Sequence, residues 1–242
     1  LPGFNGVDFE IRSRVWNINS GWEPEIAAVP FEDLPFVAFP RPVVTSTGEV
    51  HLMVSGATTQ DEFTALHVVS SQDGGQSYSE PTRISYWNLP CFLQPDSLEI
   101  LPCVEGITPE RSHPAASLYY NAVNEDLYAI WYADGFRQSQ TDGTDIYFSQ
   151  SEDNGLSWSE PIILNKDTNL ATDNFMPTGA VSEQGIFYVT WYDKRPNNGA
   201  THYYGIAYDG INNECGEEFV ISSVPTNFST VGNTNLGFGV GE

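Results

Sequence analysis

The chain has 242 residues, and 32 acidic against 9 basic side chains give it a formal net charge of −23. That charge argues against a nucleic-acid partner, because phosphate binding needs clustered Lys and Arg, and against docking on anionic lipid. No stretch reaches the roughly 18 apolar residues of a membrane span, so no membrane insertion is expected. With 40% hydrophobic residues, 21 Gly and 16 Pro, the composition indicates an all-β protein rich in turns.

Predicted strands recur along the chain in a fixed order. Apolar segments, VHLMVS at 50–55, LYAIWY at 127–132 and FYVTWY at 187–192, predict buried strands. Each follows a short strand that opens on a residue–proline pair and precedes a strand that opens on threonine. The pairs are Phe39-Pro40, His113-Pro114 and Met176-Pro177, and the threonines are Thr64, Thr144 and Thr201.

Two turns share one motif. Residues 71–81 and 151–161 both fit S-x-D-x-G-x-x-[aromatic]-S-E-P, and each joins two predicted strands, which indicates a β-hairpin. Asp and Ser can bond turn amides, Gly accepts a positive φ, and the aromatic residue packs on a neighbour. We call these segments the acidic turns and predict structural roles for Ser71, Asp73, Gly75, Tyr78, Ser151, Asp153, Gly155 and Trp158. Weaker copies stand at Asp209-Gly210 and Trp22-Glu23-Pro24.

The acidic turns resemble the Asp-box, or BNR, repeat of sialidase-like β-propellers. The resemblance covers about residues 15–225 and implies an all-β propeller of four-stranded antiparallel blades, of the six-bladed type. It implies one domain over residues 1–242, with blades at about 38–84, 112–165 and 175–222 and a partial blade at each end. Three blades leave open sheet edges, so we expect further blades from the same polypeptide, with a second copy as the alternative.

The catalytic residues of this family are matched only in part. Its members use three arginines, an Asp acid/base and a Tyr nucleophile paired with a Glu. Their first arginine belongs to an Arg-Ile-Pro motif, where this chain has Ala38 before Pro40, and Arg41 would face the opposite side of a regular strand. The resemblance makes Asp61 the catalytic candidate, because it falls where the family places its acid/base. The alternative is a solvated loop acid.

Arg137 and Arg195 occupy matched loops that follow the two Trp-Tyr strands. Arginines so placed can bind a carboxylate ligand, and we treat both as ligand-binding candidates. The alternative is pairing with Asp134, Asp193 or other acids of this negatively charged chain.

The three cysteines bear on stability and location. Cys91 and Cys103 bracket a Pro-containing loop, and a disulfide there would stabilise the fold by about 3 kcal/mol in the loop-entropy model. Two buried thiols are the alternative, and Cys215 is left over. We expect no cofactor and no zinc site. Acidic residues at 142–145 and 214–218 leave calcium open, although neither matches a 12-residue calcium loop.

The sequence therefore predicts a secreted or cell-surface module whose partner is a carbohydrate or an extracellular protein. This prediction rests on the incomplete catalytic set, since the site and not the fold decides activity. A sialidase-like exo-glycoside hydrolase is one alternative. A structural subunit of an extracellular assembly is the other.

Overall fold

A computed structural model of the chain describes residues 10–34, 36–57, 64–87, 104, 116–135, 143–168, 171–196 and 200–227. The regular elements within these ranges are β-strands in antiparallel sheets, so the all-β prediction is confirmed. None of the described residues belongs to a helix that could cross a membrane.

An N-terminal half-sheet of two strands opens the described chain. Strands β1 (Ile11–Ser13) and β4 (Ile26–Val29) pair with each other, and between them β2 (Trp16–Asn17) and β3 (Gly21–Trp22) form a separate small hairpin.

Three larger sheets follow, and each is a meander in which neighbouring strands along the chain pair in space. The first sheet contains β5 (Phe36–Val44), β6 (Val50–Ala57), β7 (Ala65–Ser71) and β8 (Thr82–Tyr86). The second contains β9 (Ser117–Asn121), β10 (Asp126–Ala133), β11 (Asp145–Ser151) and β12 (Ile162–Ile163). The third contains β13 (Asn174–Val181), β14 (Ile186–Asp193) and β15 (His202–Asp209), with β16 (Glu214–Cys215) and β17 (Phe219–Val220) sharing its outer position.

Each sheet buries one face against the sheet that precedes it, which gives three apolar layers. Along β10, Leu127 and Trp131 face the first sheet whereas Tyr128 and Ile130 face the third, as the two-residue period of a strand requires. All eight residues of β10 are buried, which explains the run of aliphatic and aromatic residues that follows Asp126. In the part of the chain that the structure describes, the layers do not close into a ring.

Both acidic turns are held by the same hydrogen bonds. The Ser71 hydroxyl donates to Asp73 Oδ1 at 2.7 Å and accepts from the Gly75 amide at 2.7 Å. In the second turn, Ser151 donates to Asp153 at 2.9 Å and accepts from the amide of the glycine four residues later at 2.8 Å. These glycines have φ of 91° and 83°, a region that side chains with a Cβ rarely adopt. The two motifs share one spacing of residues, and both therefore form the same local structure.

Each acidic turn packs on the sheet that precedes it, and the second turn packs on the third strand of the first sheet, β7. A Cβ added to Gly155 would lie 3.4 Å from Val68 Cγ1 and 3.5 Å from Ser70 Oγ. One added to Gly75 would lie 3.5 Å from Val15 Cγ2, beside the N-terminal half-sheet. The half-sheet therefore stands in the place of the outer two strands of a sheet.

Strands β5 and β13 contain matching β-bulges at their residue–proline pairs. The pairing register shifts by one residue there, and Phe39 and Met176 have φ of 55° and 51°. Positive φ is rare for bulky residues and costs about 1–3 kcal/mol. The hydrogen bonds of the β5–β6 and β13–β14 pairings must offset this cost and hold both residues in place.

The bulge in β5 corrects the expected direction of Arg41. Ala38 pairs with Ser55 and Arg41 pairs with Met53, two residues apart on β6. Residues two apart on a strand share a face, so positions 38 and 41 lie on the same face of the sheet. The prediction that Arg41 faces the opposite side is wrong, because it assumed a regular strand.

The carboxylate of Asp73 should make stability depend on pH. Hydrogen bonds from the hydroxyls of Ser77 and Ser71 and from backbone amides hold its pKa well below the ordinary value. A depressed folded-state pKa stabilises the fold above the ordinary value of 3.8, and this stabilisation is lost as the pH falls below it. We expect Asp73→Asn to lower the Tm at pH 7, with a smaller difference from the wild type at pH 3.

Thermal denaturation followed by circular dichroism at both pH values measures this effect. Glu183→Gln, at an exposed acid in the turn after β13, is the control and should leave the Tm almost unchanged. A deficit in Asp73→Asn that is as large at pH 3 as at pH 7 would contradict the expectation.

Candidate functional site

Polar side chains collect at one edge of the second and third sheets. The acidic turns lie where the third strand of a sheet ends, so the edge where those third strands begin is opposite to them. We call this opposite edge the distal edge. Its main polar residues stand at strand ends or just beyond them and are Asp145, Asn165, Asp167, Asn174, Asp193 and Arg195.

Side-chain amides link the carboxylates of the distal edge. Asn165 Nδ2 donates to Asp145 Oδ1 at 2.8 Å and to Asp167 Oδ1 at 2.6 Å. Asn174 Nδ2 donates to the same Asp167 oxygen at 3.3 Å, and its own Oδ1 accepts from Trp191 Nε1 at 3.1 Å. Asn174 and Trp191 are fully buried. The hydrogen bonds therefore run without a break from the second sheet into the core of the third.

Arg195 is bound by two carboxylates of its own chain. Its Nε and Nη2 atoms donate to Asp193 Oδ2 at 2.9 and 2.6 Å, and its Nη1 and Nη2 atoms donate to Glu218 at 2.6 and 2.8 Å. The guanidinium also lies 4.0 Å from the centre of the Tyr204 ring. Asp193 is fully buried, so Arg195 neutralises a charge that cannot reach water.

Two lysines also belong to the described edge, and Lys166 Nζ donates to the Gly216 carbonyl at 2.7 Å. Lys194 Nζ lies 3.2 Å from Asp173 Oδ2. Arg195, Lys194 and Lys166 stand against five carboxylates, so the described part of the distal edge carries excess negative charge. The carboxylates are Asp145, Asp167, Asp173, Asp193 and Glu218.

Asp145 has an altered acidity. Burial raises its pKa above the ordinary value, against the hydrogen bond from Asn165, and the nearby charges of Asp167 and Asp134 raise it further. A carboxyl group with a raised pKa keeps its proton to a higher pH than an ordinary aspartate does.

A groove of about 690 Å³ lies beside the second acidic turn, between the second and third sheets. Gln150, Glu152, Trp158, Tyr208 and Asn213 contribute to its wall. The Tyr208 hydroxyl donates to Gln150 Oε1 at 2.6 Å, which ties the two sheets together.

Asp126 lies buried behind this groove. Gln150 Nε2 donates to its Oδ2 at 2.8 Å, and Asn124 Nδ2 donates to the same oxygen at 2.5 Å. Burial and the neighbouring charge of Glu152 raise the pKa of Asp126 to about 6. Both partners belong to the second sheet and themselves bond the third, Gln150 through Tyr208 and Asn124 through the Gly210 carbonyl at 2.8 Å, so Asp126 positions the side chains that join the sheets.

Several predicted site residues lie outside the described residues: Asp61, Arg137, Cys91 and Cys103. Their predicted roles stay predictions. Cys215 is exposed and carries a free thiol. Within the described ranges no three His, Cys, Asp or Glu side chains are grouped so that they could hold a metal ion, and Glu218 binds Arg195 instead.

The sequence reasoning did not single out Asn165, Asn174 or Asp126. Asn165 and Asn174 are 20 and 17 residues from their partners Asp145 and Trp191, so no local motif marks them. A polar residue that interrupts an otherwise apolar repeat is the sequence feature that could have indicated them. Both asparagines stand at the boundaries of strands whose other residues are mainly apolar.

Comparisons with known proteins show that the fold of this chain is similar to that of several solved structures. The chain matches no protein-family model and no curated protein. An α-L-arabinofuranosidase from Fusarium graminearum, solved with an iminosugar inhibitor, is 14% identical over 80% of this chain and 50% of its own, with a TM-score of 0.51. An α-L-arabinanase from Penicillium chrysogenum, complexed with arabinobiose, is 14% identical over 81% and 53%, with a TM-score of 0.50.

A Hadza microbial sialidase is also 14% identical, over 76% of this chain and 37% of its own, with a TM-score of 0.48. The chain spans about half the length of the two arabinan-named enzymes. At this identity the likeness shows a shared fold over that half.

Removal of the Arg195 guanidinium should destabilise the fold. Arg195→Ala would leave the buried Asp193 carboxylate without its cation, and breaking a buried pair in this way costs about 3–5 kcal/mol. The arginine side chain is 24% exposed, so we expect about 3 kcal/mol, near the lower end. Urea unfolding at pH 7 measures the loss. Arg12→Ala is the matched control, because Arg12 pairs with Glu25 at the surface, and it should change little. Equal losses in both variants would contradict the assignment.

Asp126 should make the fold less stable as the pH rises. Its folded-state pKa of about 6 exceeds the ordinary 3.8, so the folded chain holds a proton that the unfolded chain releases. Stability from this group is therefore complete at pH 4 and is lost by about pH 7. Asp126→Asn keeps an acceptor oxygen for Gln150 and Asn124 without the charge. We expect the variant to match the wild type at pH 4 and to exceed it at pH 7.

Urea unfolding from pH 4 to pH 7 tests this sign. Asp126→Ala is the control, since it removes the acceptor and should destabilise the fold at every pH. A constant difference between wild type and Asp126→Asn across the range would refute the raised pKa.

Proposed function

We propose that the chain is a segment of a β-propeller that binds glycans, with the distal edge as its ligand-binding face. The single observation that carries the proposal is the group of Asp145, Asn165 and Asp167, whose side chains are linked by hydrogen bonds at one edge of the fold. The fold likeness to two enzymes named for arabinan substrates, one of them complexed with arabinobiose, supports it. A six-bladed ring and a secreted or cell-surface location belong to this proposal.

The chemistry of these side chains suits sugar hydroxyl groups. A hydroxyl both donates and accepts hydrogen bonds, and a carboxylate offers about four acceptor positions on its two oxygens. The contacts with Asn165 engage Oδ1 of Asp145 and Oδ1 of Asp167. Both acids are partly exposed, and the amide holds them in fixed positions relative to each other. Such preorganisation lowers the entropic cost of binding.

The charge of the edge favours neutral glycans. Arg195 and Lys194 are committed to carboxylates of the chain, and Lys166 is outweighed by the negative charges of Asp145, Asp167 and the second carboxylate on Arg195. An anionic sugar would meet repulsion there, whereas a neutral one would not. We therefore propose neutral furanose or pyranose chains as the ligand class.

A sialidase-like exo-glycoside hydrolase is the second candidate, and two observations favour it. The bulge in β5 brings the exposed Arg41 to the face where the family's first arginine would lie. The raised pKa of Asp145 suits a general acid. Asp61 as acid/base and Arg137 as a carboxylate ligand remain part of this alternative.

Calorimetric titration of the full chain with arabinobiose, a linear arabinan and sialyllactose tests the proposal. We expect the neutral arabinan to bind and Asp167→Ala to weaken binding at least about tenfold, since a hydrogen bond to a charged group contributes about 1.5–3 kcal/mol. Glu183→Ala, at an exposed acid on the edge of the acidic turns, is the matched control and should bind as the wild type does.

The outcomes separate the two candidates. Binding that is unchanged in Asp167→Ala, or absent for every neutral glycan, would overturn the proposed binding face. Hydrolysis of a fluorogenic sialoside that is lost in Asp61→Asn and in Arg41→Ala would establish the enzyme instead.

A further inference from the structure

The interface between neighbouring sheets repeats within the chain, and aromatic residues contribute from both sides. From the earlier sheet, Tyr128 on β10 reaches forward and its ring lies 5.2 Å from Phe187 and 5.8 Å from Tyr208 of the third sheet. From the later sheet, the turn aromatic reaches back. Trp158 packs on the layer between the first and second sheets, and Tyr78 packs on the layer beside the N-terminal half-sheet.

Trp22 holds the position of the turn aromatic in the half-sheet. In each acidic turn the residue after the aromatic closes the hairpin, with the Ser79 amide donating to the Ser70 carbonyl at 2.9 Å and the Ser159 amide donating to the Gln150 carbonyl at 2.9 Å. The Glu23 amide donates to the carbonyl of Val15 at 2.9 Å in the same way. Trp22 is nevertheless 58% exposed, because the described chain has no sheet before it.

Tyr188 holds the position of Tyr128 in the third sheet. Each of these tyrosines stands three residues before the tryptophan of its second strand, Trp131 or Trp191. Tyr128 is fully buried by the sheet that follows it, whereas Tyr188 is 45% exposed. The two exposed aromatics are therefore the two unmatched halves of one repeated interface.

Further apolar side chains surround each exposed aromatic. Trp16 packs edge-to-face on Trp22 at 5.2 Å and is 59% exposed, and Ile18 projects from the same hairpin. We call these three residues the tryptophan face. Near Tyr188, the exposed side chains of Phe219 and Ile221 pack over Gly205. Their atoms lie within 3.2 Å of where a Cβ on Gly205 would be. We call Tyr188, Phe219 and Ile221 the tyrosine face.

We propose that the tryptophan face of one copy of this chain binds the tyrosine face of a second copy. The contact is head to tail and continues the interface that already joins the sheets within the chain. Each copy presents both faces, so two copies make two such contacts and close a ring.

Two observations identify a second copy as the occupant. The tyrosine face has the strand register of the surface that receives the second acidic turn inside the chain, since Ala207 pairs with Tyr188 as Ser70 pairs with His51, and Gly155 packs on Ser70. A surface with this register can therefore bind a turn of the same kind, and the hairpin that contains Trp22 is such a turn. Each copy also carries both halves of this interface, the tryptophan face and the tyrosine face, so a second copy supplies the half that is exposed on the first.

Sedimentation velocity across a concentration series tests the contact with the full chain. We expect the wild type to sediment as a discrete two-copy species. Trp16→Ser combined with Trp22→Ser, and separately Tyr188→Glu, should weaken self-association at least tenfold. Leu156→Ser is the matched control, because Leu156 is 75% exposed but belongs to neither face, and it should sediment as the wild type does.

A mixture of the two variants gives the sharpest result. Each variant keeps the face that the other has lost, so a head-to-tail contact predicts a 1:1 complex when they are mixed, although each alone is monomeric. A wild-type chain that stays monomeric throughout the series overturns the proposal, and so does a mixture that forms no complex. Acrylamide quenching of wild-type tryptophan fluorescence gives a readout without substitution, and it should become weaker as the protein concentration rises.

Discussion

The central constraint on this molecule is that each of its sheets has two apolar faces and needs a neighbour on both. Strand β10 shows the demand most clearly, because every one of its residues is buried and alternate side chains enter different layers. A single four-stranded sheet cannot satisfy such a strand in water, since one face would remain exposed. Stability must therefore come from stacking, and any feature that fixes the orientation of one sheet on the next acts on the whole chain.

The acidic turns provide that fixation at one edge. The hydrogen bonds of their first Ser and their Asp join residues at most four positions apart, and the backbone bond that closes each hairpin spans nine, so each turn forms its shape from its own segment. The glycine at its centre then packs on the preceding sheet with a positive φ, which would strain the backbone of a larger residue. The distal edge is different, because Arg195 meets Glu218 across 23 residues. One edge is built locally and the other depends on the completed stack.

This difference explains what could be predicted from the sequence. The strand order and the shape of the acidic turns depend on short-range patterns, and both were accessible. Arg41 was misplaced because a bulge adds one residue to a strand without a marker beyond the proline after Phe39. The pairing of Asp126 with Gln150 joins residues 24 apart, and the link of Asn165 to Asp145 joins residues 20 apart. Such pairs become visible only when the register of both strands is known.

The proposed contact between copies also bears on the proposed ligand face. A head-to-tail contact repeats the relation between successive sheets, so it keeps all acidic turns on one side of the assembly and all distal edges on the other. A two-fold contact through one face would turn the second copy over and set its acidic turns beside the distal edge of the first. Only the head-to-tail arrangement gives a continuous ligand face, because Asp145 and Asp167 of both copies then lie on the same side. The orientation of the interface is thus as important for glycan binding as the residues of the edge themselves.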